Sequence, residues 1–155
     1  YVGVFVNHPI TEIIDLVKSL HLSSVQLHGN EDESYIATLK AQLTENNCNN
    51  CDLWQAKSVL DIVPILSTQV VHHVLDGKSP GSGQSFDWQI LSASEQDLTQ
   101  SFLAGGLNND NIQFALQQLT QLDLFGLDLN SGVETSPGIK SSEKLTQVFA
   151  QIRNY

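Results

Sequence analysis

Residues Val70–Trp88 read VVHHVLDGKSPGSGQSFDW, and this stretch decides the fold. Val70, Val71, Val74 and Leu75 form an apolar run of the kind that is buried on both faces of a parallel sheet. The run stops at Asp76, and Gly77, Pro80, Gly81 and Gly83 then exclude a regular element. Phe86-Asp87-Trp88 restarts order, with Asp87 placed to cap a helix. A carboxylate therefore stands where a buried strand opens into a glycine-rich loop. That is the carboxyl end of the strand, the end that carries the chemistry in α/β folds. Asp also caps its own loop in many turns, and on this stretch alone the two readings weigh equally.

Working outward, the same strand–loop–helix unit recurs. Tyr1–Asn7 (YVGVFVN) is rich in β-branched and aromatic residues and reads as a buried strand. Thr11 is placed to cap a helix in which Ile13, Leu16, Val17 and Leu20 share one face. Val25–Gly29 is a second short strand. Asn30 and Glu33 then stand three apart, like a capping box, before a helix with Ile36, Leu39 and Leu43 on its apolar face. Asp52–Val59 is a third strand, and Leu60–Ser67 stays ambiguous because Pro64 limits any helix there. Val70–Leu75 is the fourth strand and Phe86–Leu91 opens a short helix. Phe102–Gly106 is the fifth strand, followed by a helix capped by Asn108 or Asn109 that presents Ile112, Ala115, Leu116 and Leu119. Leu124–Asn130 is the sixth strand, followed by the broken loop SGVETSPG and a last helix from about Ser141 to Arg153.

Six βα units without interruption predict an α/β fold with a parallel sheet and outer helices. Each strand ends in a polar or glycine-bearing loop, which suits a (β/α)8 TIM barrel. Six units are two short of closure, so the expectation is an incomplete barrel, units three to eight, with about 50 residues of a roughly 250-residue barrel preceding Tyr1. The competing flavodoxin-like sheet would carry a glycine-rich loop after the first strand, and VFVNHPI has none. Residues 1–155 are expected to form a single domain.

Composition sets the outer bounds. The chain has 155 residues, of which 41% are hydrophobic and 15% charged, enough for one globular core. A net charge of −10 argues against a nucleic-acid partner, which needs a basic stripe. No apolar run is long enough to span a bilayer, and no charged-then-apolar leader opens the chain, so no membrane partner is expected. Tyr1 stands directly inside a strand-like run and the chain contains no Met, which reads as a piece of a longer protein. Cys48 and Cys51 form a lone CxxC without the second pair or histidines that a structural zinc site requires. They read as two reduced thiols on a cytosolic surface loop, with no metal and no cofactor.

Gly105-Gly106 and Ser131-Gly132 end the last two strands. Glycines there let backbone N–H groups approach an anion, and the following helix adds the positive end of its dipole. Barrels hold phosphate in this place. Either pair alone reads as a tight turn; two pairs on consecutive strands point to a phosphorylated small molecule. No basic residue lies in either loop, so the expected grip is made of amides and not of a lysine or arginine clamp.

Together, GVFVN (Gly3–Asn7), VQLHGNE (Val25–Glu31), VLD…GSGQSFDW (Val74–Trp88), FLAGGL (Phe102–Leu107) and GLDLNSGVETSPGIK (Gly126–Lys140) closely resemble phosphoribosylanthranilate isomerase, over nearly the whole chain and in order. The ending VFAQIRNY and the NH-x-I after the first strand look most like the isomerase half of bacterial bifunctional proteins. In those, an indole-3-glycerol-phosphate synthase is fused upstream. The resemblance implies the Amadori rearrangement of N-(5-phosphoribosyl)anthranilate to a carboxyphenylamino-deoxyribulose phosphate in tryptophan biosynthesis. It implies Asp76 as the general acid, which requires a protonated carboxyl near neutral pH. It places His28, Gly81, Gly83, Gly105, Gly106, Asp128, Asn130, Ser131 and Gly132 at the substrate. His28 reads as orienting the site and not as a proton donor; Asp128, two residues before Asn130, should point the same way along its strand, either to hold the anthranilate amine or only to pair within the barrel core.

The chain also departs from the pattern. The family's base is a cysteine in a KxCG-type motif on the first barrel strand, and an arginine on the second helps hold substrate; neither is present. Cys48 and Cys51 lie between later elements. Pro80 stands where the family commonly has a glycine, which removes one N–H. His72 and His73, consecutive on a strand, face opposite sides and read as structural. A non-catalytic phosphate-ligand or assembly module is the alternative. Indole-glycerol-phosphate synthase itself is weak, because Lys57 is the one strand-end lysine.

Overall fold

Apolar periodicity, not propensity, places the first helix. The computed structural model of the protein describes residues 1–77 and 86–155. In it, α1 (Ile10–Leu20) buries Ile13, Ile14 and Val17. Thr11 is not its cap. Pro9, with φ −59°, precedes the first helical residue, and its carbonyl accepts from the N–H groups of Glu12 and Ile13. A proline-locked φ already suits helix entry, so the helix starts earlier than a threonine cap would allow.

Strand β1 (Val2–Phe5) pairs in parallel with β2 (Ser24–Leu27), which pairs in parallel with β3 (Asp52–Ser58). Helix α2 (Glu33–Glu45) lies between β2 and β3 in sequence. Its cap is Asp32, whose carboxylate accepts from the Tyr35 N–H at 2.8 Å, and not the expected Asn30–Glu33 box. Asn30 still belongs to the loop, donating its N–H to Asn7 Oδ1, while Glu33 accepts from Ser67 Oγ and Gln69 Nε2. Phe5, Ile13, Val17, Val25, Leu27, Ile36, Leu39, Leu43 and Leu53 pack as one core. Removing Leu39, which is fully buried, to alanine would cost about 2–5 kcal/mol.

The first strand is only half buried. Phe5 joins the core, whereas Val2, Val4 and Val6 are 42%, 59% and 56% exposed. Period-two alternation sends those valines to the other sheet face. The apolar run alone could not reveal that this face is open.

Beyond β3 come β4 (His72–Asp76), α3 (Gln89–Ser92), β5 (Ser101–Leu103), α4 (Ile112–Gln121) and β6 (Gly126–Leu127). Strands β1 to β6 follow the chain order in one sheet, the alternating α/β order expected. The fourth strand starts at His72 and not at Val70, and Val71 is 44% exposed. Trp88 is the residue before α3, with Asp87 Oδ1 accepting from the Gln89 N–H at 3.0 Å. Where a plain broken loop was expected, Ser131–Val133 make a 3-10 turn and β7 (Glu134–Ser136) pairs antiparallel with β8 (Ile139–Lys140). Helix α5 (Ser142–Arg153) ends the chain, capped by Ser141 Oγ, which accepts from the Lys144 N–H.

The chain divides into two compact units. The first holds residues 1–57 and 66–73, the second residues 58–65 and 74–155. In the second, Ile112, Leu116, Val133 and Val148 form a core cluster joined by Leu127, Leu129, Leu145 and Ile152.

Candidate functional site

Asp76 is the last residue of β4 and is half-buried. Its backbone carbonyl accepts from the Val59 N–H at 2.7 Å, which continues the sheet to the strand's end. Its Oδ1 accepts from the Gly77 N–H at 2.7 Å, so the loop-capping role and a rim position coexist in one side chain. Gly105 makes room for it: a Cβ there would lie 2.8 Å from Asp76 Oδ1 and 2.9 Å from the Gly77 nitrogen. The absent side chain lets the backbone after β5 press against the carboxylate.

Gly105 and Gly106 both take positive φ, 83° and 67°, the left-handed region that L side chains avoid. The Gly106 carbonyl is then held by Asn108 Nδ2 and Asn111 Nδ2, at 3.0 and 2.9 Å. A planar trans peptide sends its N–H opposite to its carbonyl, so the Leu107 N–H points away from the asparagines. The N–H groups of Asn108 and Asp110 are consumed by the side chains of Asn111 and Asn108. Among the described residues nothing accepts from the backbone N–H groups of Gly106, Leu107, Ser131 or Gly132. Gly132 is required by space: a Cβ would stand 1.9 Å from the Leu107 carbonyl oxygen. The two glycine-bearing turns therefore touch backbone to backbone. Beside them a polar cavity of about 610 Å³ is lined by Asn108, Asp110, Ser131, Gly132, Lys144 and Gln147 among others.

Asn130 does not continue the line of Asp128. Strand β6 stops at Leu127, the Asp128 N–H makes the last ladder bond to Leu103 O at 2.8 Å, and Asn130 turns away with ψ −96°. Alternation holds only while the strand lasts, so the two side chains need not share a face. Asn130 meets Lys140 instead, whose ammonium donates to its carbonyl and to its Oδ1, and to Glu134 Oε1 at 2.6 Å. Accepting from Lys140 holds the Glu134 carboxyl below its usual range. Lys144 Nζ donates to the Glu134 carbonyl. The hairpin thus returns Lys140, and α5 brings Lys144, to the segment Asn130–Glu134.

In the first unit, His28 follows β2. Its N–H donates to Phe5 O, and its Nδ1 lies 3.0 Å from Gln26 Nε2. Glu31, which motif reading passed over, is buried and accepts from the N–H groups of Asn7 and Gly29. The available signal was an acid two residues after His28-Gly29, where a solvated loop has no need of one. His72 and His73 are both buried; the His72 ring meets Trp54 edge-on and His73 Nε2 lies 3.1 Å from Ser67 O. Gly81 and Gly83 lie outside the described residues. Among the described residues no group of His, Cys, Asp and Glu is arranged to hold a metal, and no helix is long and apolar enough to cross a membrane.

A family model described as N-(5'phosphoribosyl)anthranilate (PRA) isomerase matches residues 1–151. The chain belongs to the phosphoribosylanthranilate isomerase family. It is 44% identical to the tryptophan biosynthesis protein TrpCF of Vibrio cholerae over 160 residues, covering 100% of this chain and 32% of that protein. It thus spans about a third of the length of the curated relatives it matches. The crystal structure of phosphoribosyl anthranilate isomerase from Thermus thermophilus superposes with a TM-score of 0.76 at 31% identity, covering 99% of this chain and 72% of the other. TrpF from Jonesia denitrificans gives 0.73 at 27%, covering 99% and 70%. With these neighbours, the six-stranded parallel sheet and its helices are those of an incomplete isomerase barrel, the fold class expected from the strand ends, although no helix forms between β3 and β4.

Proposed function

We propose that the chain supplies units three to eight of a phosphoribosylanthranilate isomerase. The two earlier units and an indole-3-glycerol-phosphate synthase domain would precede it in one cytoplasmic bifunctional protein. The reaction is the Amadori rearrangement of N-(5-phosphoribosyl)anthranilate. The observation that carries this reading lies within the second unit, where a rim carboxylate, Asp76, packs on Gly105 beside turns with unclaimed N–H groups.

Each part has a task. Asp76 protonates the furanose ring oxygen, so the C1–O bond breaks with its electrons leaving to oxygen and C1 becomes an iminium. A base then takes the C2 proton, and the enolamine so formed tautomerises to the ketone. By family resemblance that base is a cysteine of the missing first unit. The phosphate lies on the N–H groups of Gly106, Leu107, Ser131 and Gly132, each modest alone and additive when convergent. Asp128 and Asn130 orient the remainder of the substrate.

The test is turnover of N-(5-phosphoribosyl)anthranilate by the full-length protein. Turnover abolished by replacing the upstream cysteine and depressed by Asp76→Asn supports the reading. A full-length protein that binds the substrate without converting it refutes the reading in favour of a ligand-binding module.

A further inference from the structure

Glu31 is 7% exposed, and a buried carboxylate is costly unless its oxygens are bonded. Here each oxygen serves a different loop. Oε1 accepts from the Asn7 N–H at 2.6 Å, after β1, and Oε2 accepts from the Gly29 N–H at 2.8 Å, after β2. The Glu31 carbonyl accepts from Gln55 Nε2 on β3 at 2.9 Å. One residue thus joins the carboxyl ends of β1 and β2 to the middle of β3.

The surroundings are shaped to it. Asn7 adopts a left-handed φ of 51°, and its Oδ1 accepts from the Asn30 N–H at 2.8 Å. Gly29 permits that approach: a Cβ would stand 2.6 Å from Asn7 Oδ1 and 2.9 Å from the Asn7 nitrogen. His28 sits inside this staple, immediately before Gly29. Its Nδ1 lies 3.0 Å from Gln26 Nε2, which ties the ring to β2.

We propose that Glu31 is a positioning residue: by gripping both N–H groups it makes the loops after β1 and β2 one rigid rim and fixes where His28 meets the ligand. The identity of that ligand rests on the isomerase reading; the rim itself does not. A glutamine cannot replace the carboxylate, because its NH₂ would face one of the two N–H donors.

The experiment uses the full-length protein with Glu31→Gln, His28→Ala and the double variant. Glu31→Gln is expected to lower kcat/KM on the order of 10²-fold, mainly through KM, because misplacing a contact by about 1 Å costs that much. If Glu31 acts through His28, the double variant loses no more than the worse single variant. In ¹⁵N-edited spectra, Glu31→Gln should shift the Asn7 and Gly29 amides and the His28 ring nitrogens together. A lowered melting temperature with unchanged kcat/KM, or additive losses in the double variant, overturns the proposal. Should Glu31→Gln fail to fold, Glu31→Asp keeps the charge but cannot span both donors, and the same readouts apply. If the wild-type protein lacks isomerase turnover, the functional reading fails, and an undisturbed His28 spectrum in Glu31→Gln would separately refute the rim.

Discussion

Two sets of strand ends in this molecule handle the same problem in opposite ways. In the first unit, the loops after β1 and β2 expose N–H groups at Asn7 and Gly29, and the protein fills them with its own carboxylate, Glu31. In the second, the turns at Gly106-Leu107 and Ser131-Gly132 bring together N–H groups that no described residue claims. Both use glycine to bring backbones close. The difference lies in who supplies the anion. A rim closed by an internal carboxylate is a scaffold, whereas the second set of turns is the one proposed above to receive a charge from outside.

The largest effect tests the open rim's acid. In the full-length protein, Asp76→Asn is expected to lower kcat by about 10²–10⁴, the usual worth of a positioned acid. Steady-state turnover that stays above a tenth of wild type removes Asp76 from the mechanism. Next comes the glycine contact. From the loop sequence, a side chain at Gly132 should spoil phosphate binding and spare the fold. The structure changes that expectation, since even a methyl group would overlap the Leu107 carbonyl. Gly132→Ala is expected to cost about 3 kcal/mol in denaturant titration, with KM raised in whatever folds. A variant of unaltered stability would mean the two turns do not touch.

Lys140→Ala probes whether the lysine is a clamp or a brace. Its ammonium is engaged with Asn130 and Glu134, and exposed pairs of this kind contribute little. KM is expected to rise by less than about threefold; a loss of most of the affinity would transfer the phosphate grip from amides to the lysine.

The smallest effect belongs to the closed unit. Burial holds the His73 imidazole below its usual 6.5, despite its bond to the Ser67 carbonyl. The unfolded chain then binds a proton that the native state refuses. Stability is full above the unfolded value and declines as pH falls below it, levelling off beneath the native value. Urea midpoints of wild type and His73→Gln, compared between pH 8 and pH 5, should converge toward the acid end. Parallel profiles would show that the native state binds the His73 proton as readily as the unfolded chain does.

Much of this was legible in the order of residues. Alternating apolar runs located all six strands and the helices that follow five of them, because a buried strand or an amphipathic helix needs a period that solvent exposure enforces; most of the expected caps did not hold. The glycine pairs announced close backbone approach, and Asp76 announced a rim. What local pattern could not supply was contact between distant segments. Asn30 read as a cap until Asn7, 23 residues away, proved to hold its N–H. Asn130 read as facing the same way as Asp128 until the strand ended at Leu127, three residues earlier than the run Leu124–Asn130 suggested. Lys140 looked remote until a hairpin folded it back. Glu31 stood at the end of the VQLHGNE motif without a readable role, because its meaning lies in two N–H groups contributed by different loops. The sequence by itself determined the alternation, the family and the polar rim, since these depend on period and residue type. Tertiary structure alone decided which N–H groups are filled and which stay open, because that depends on where non-neighbouring chain segments meet.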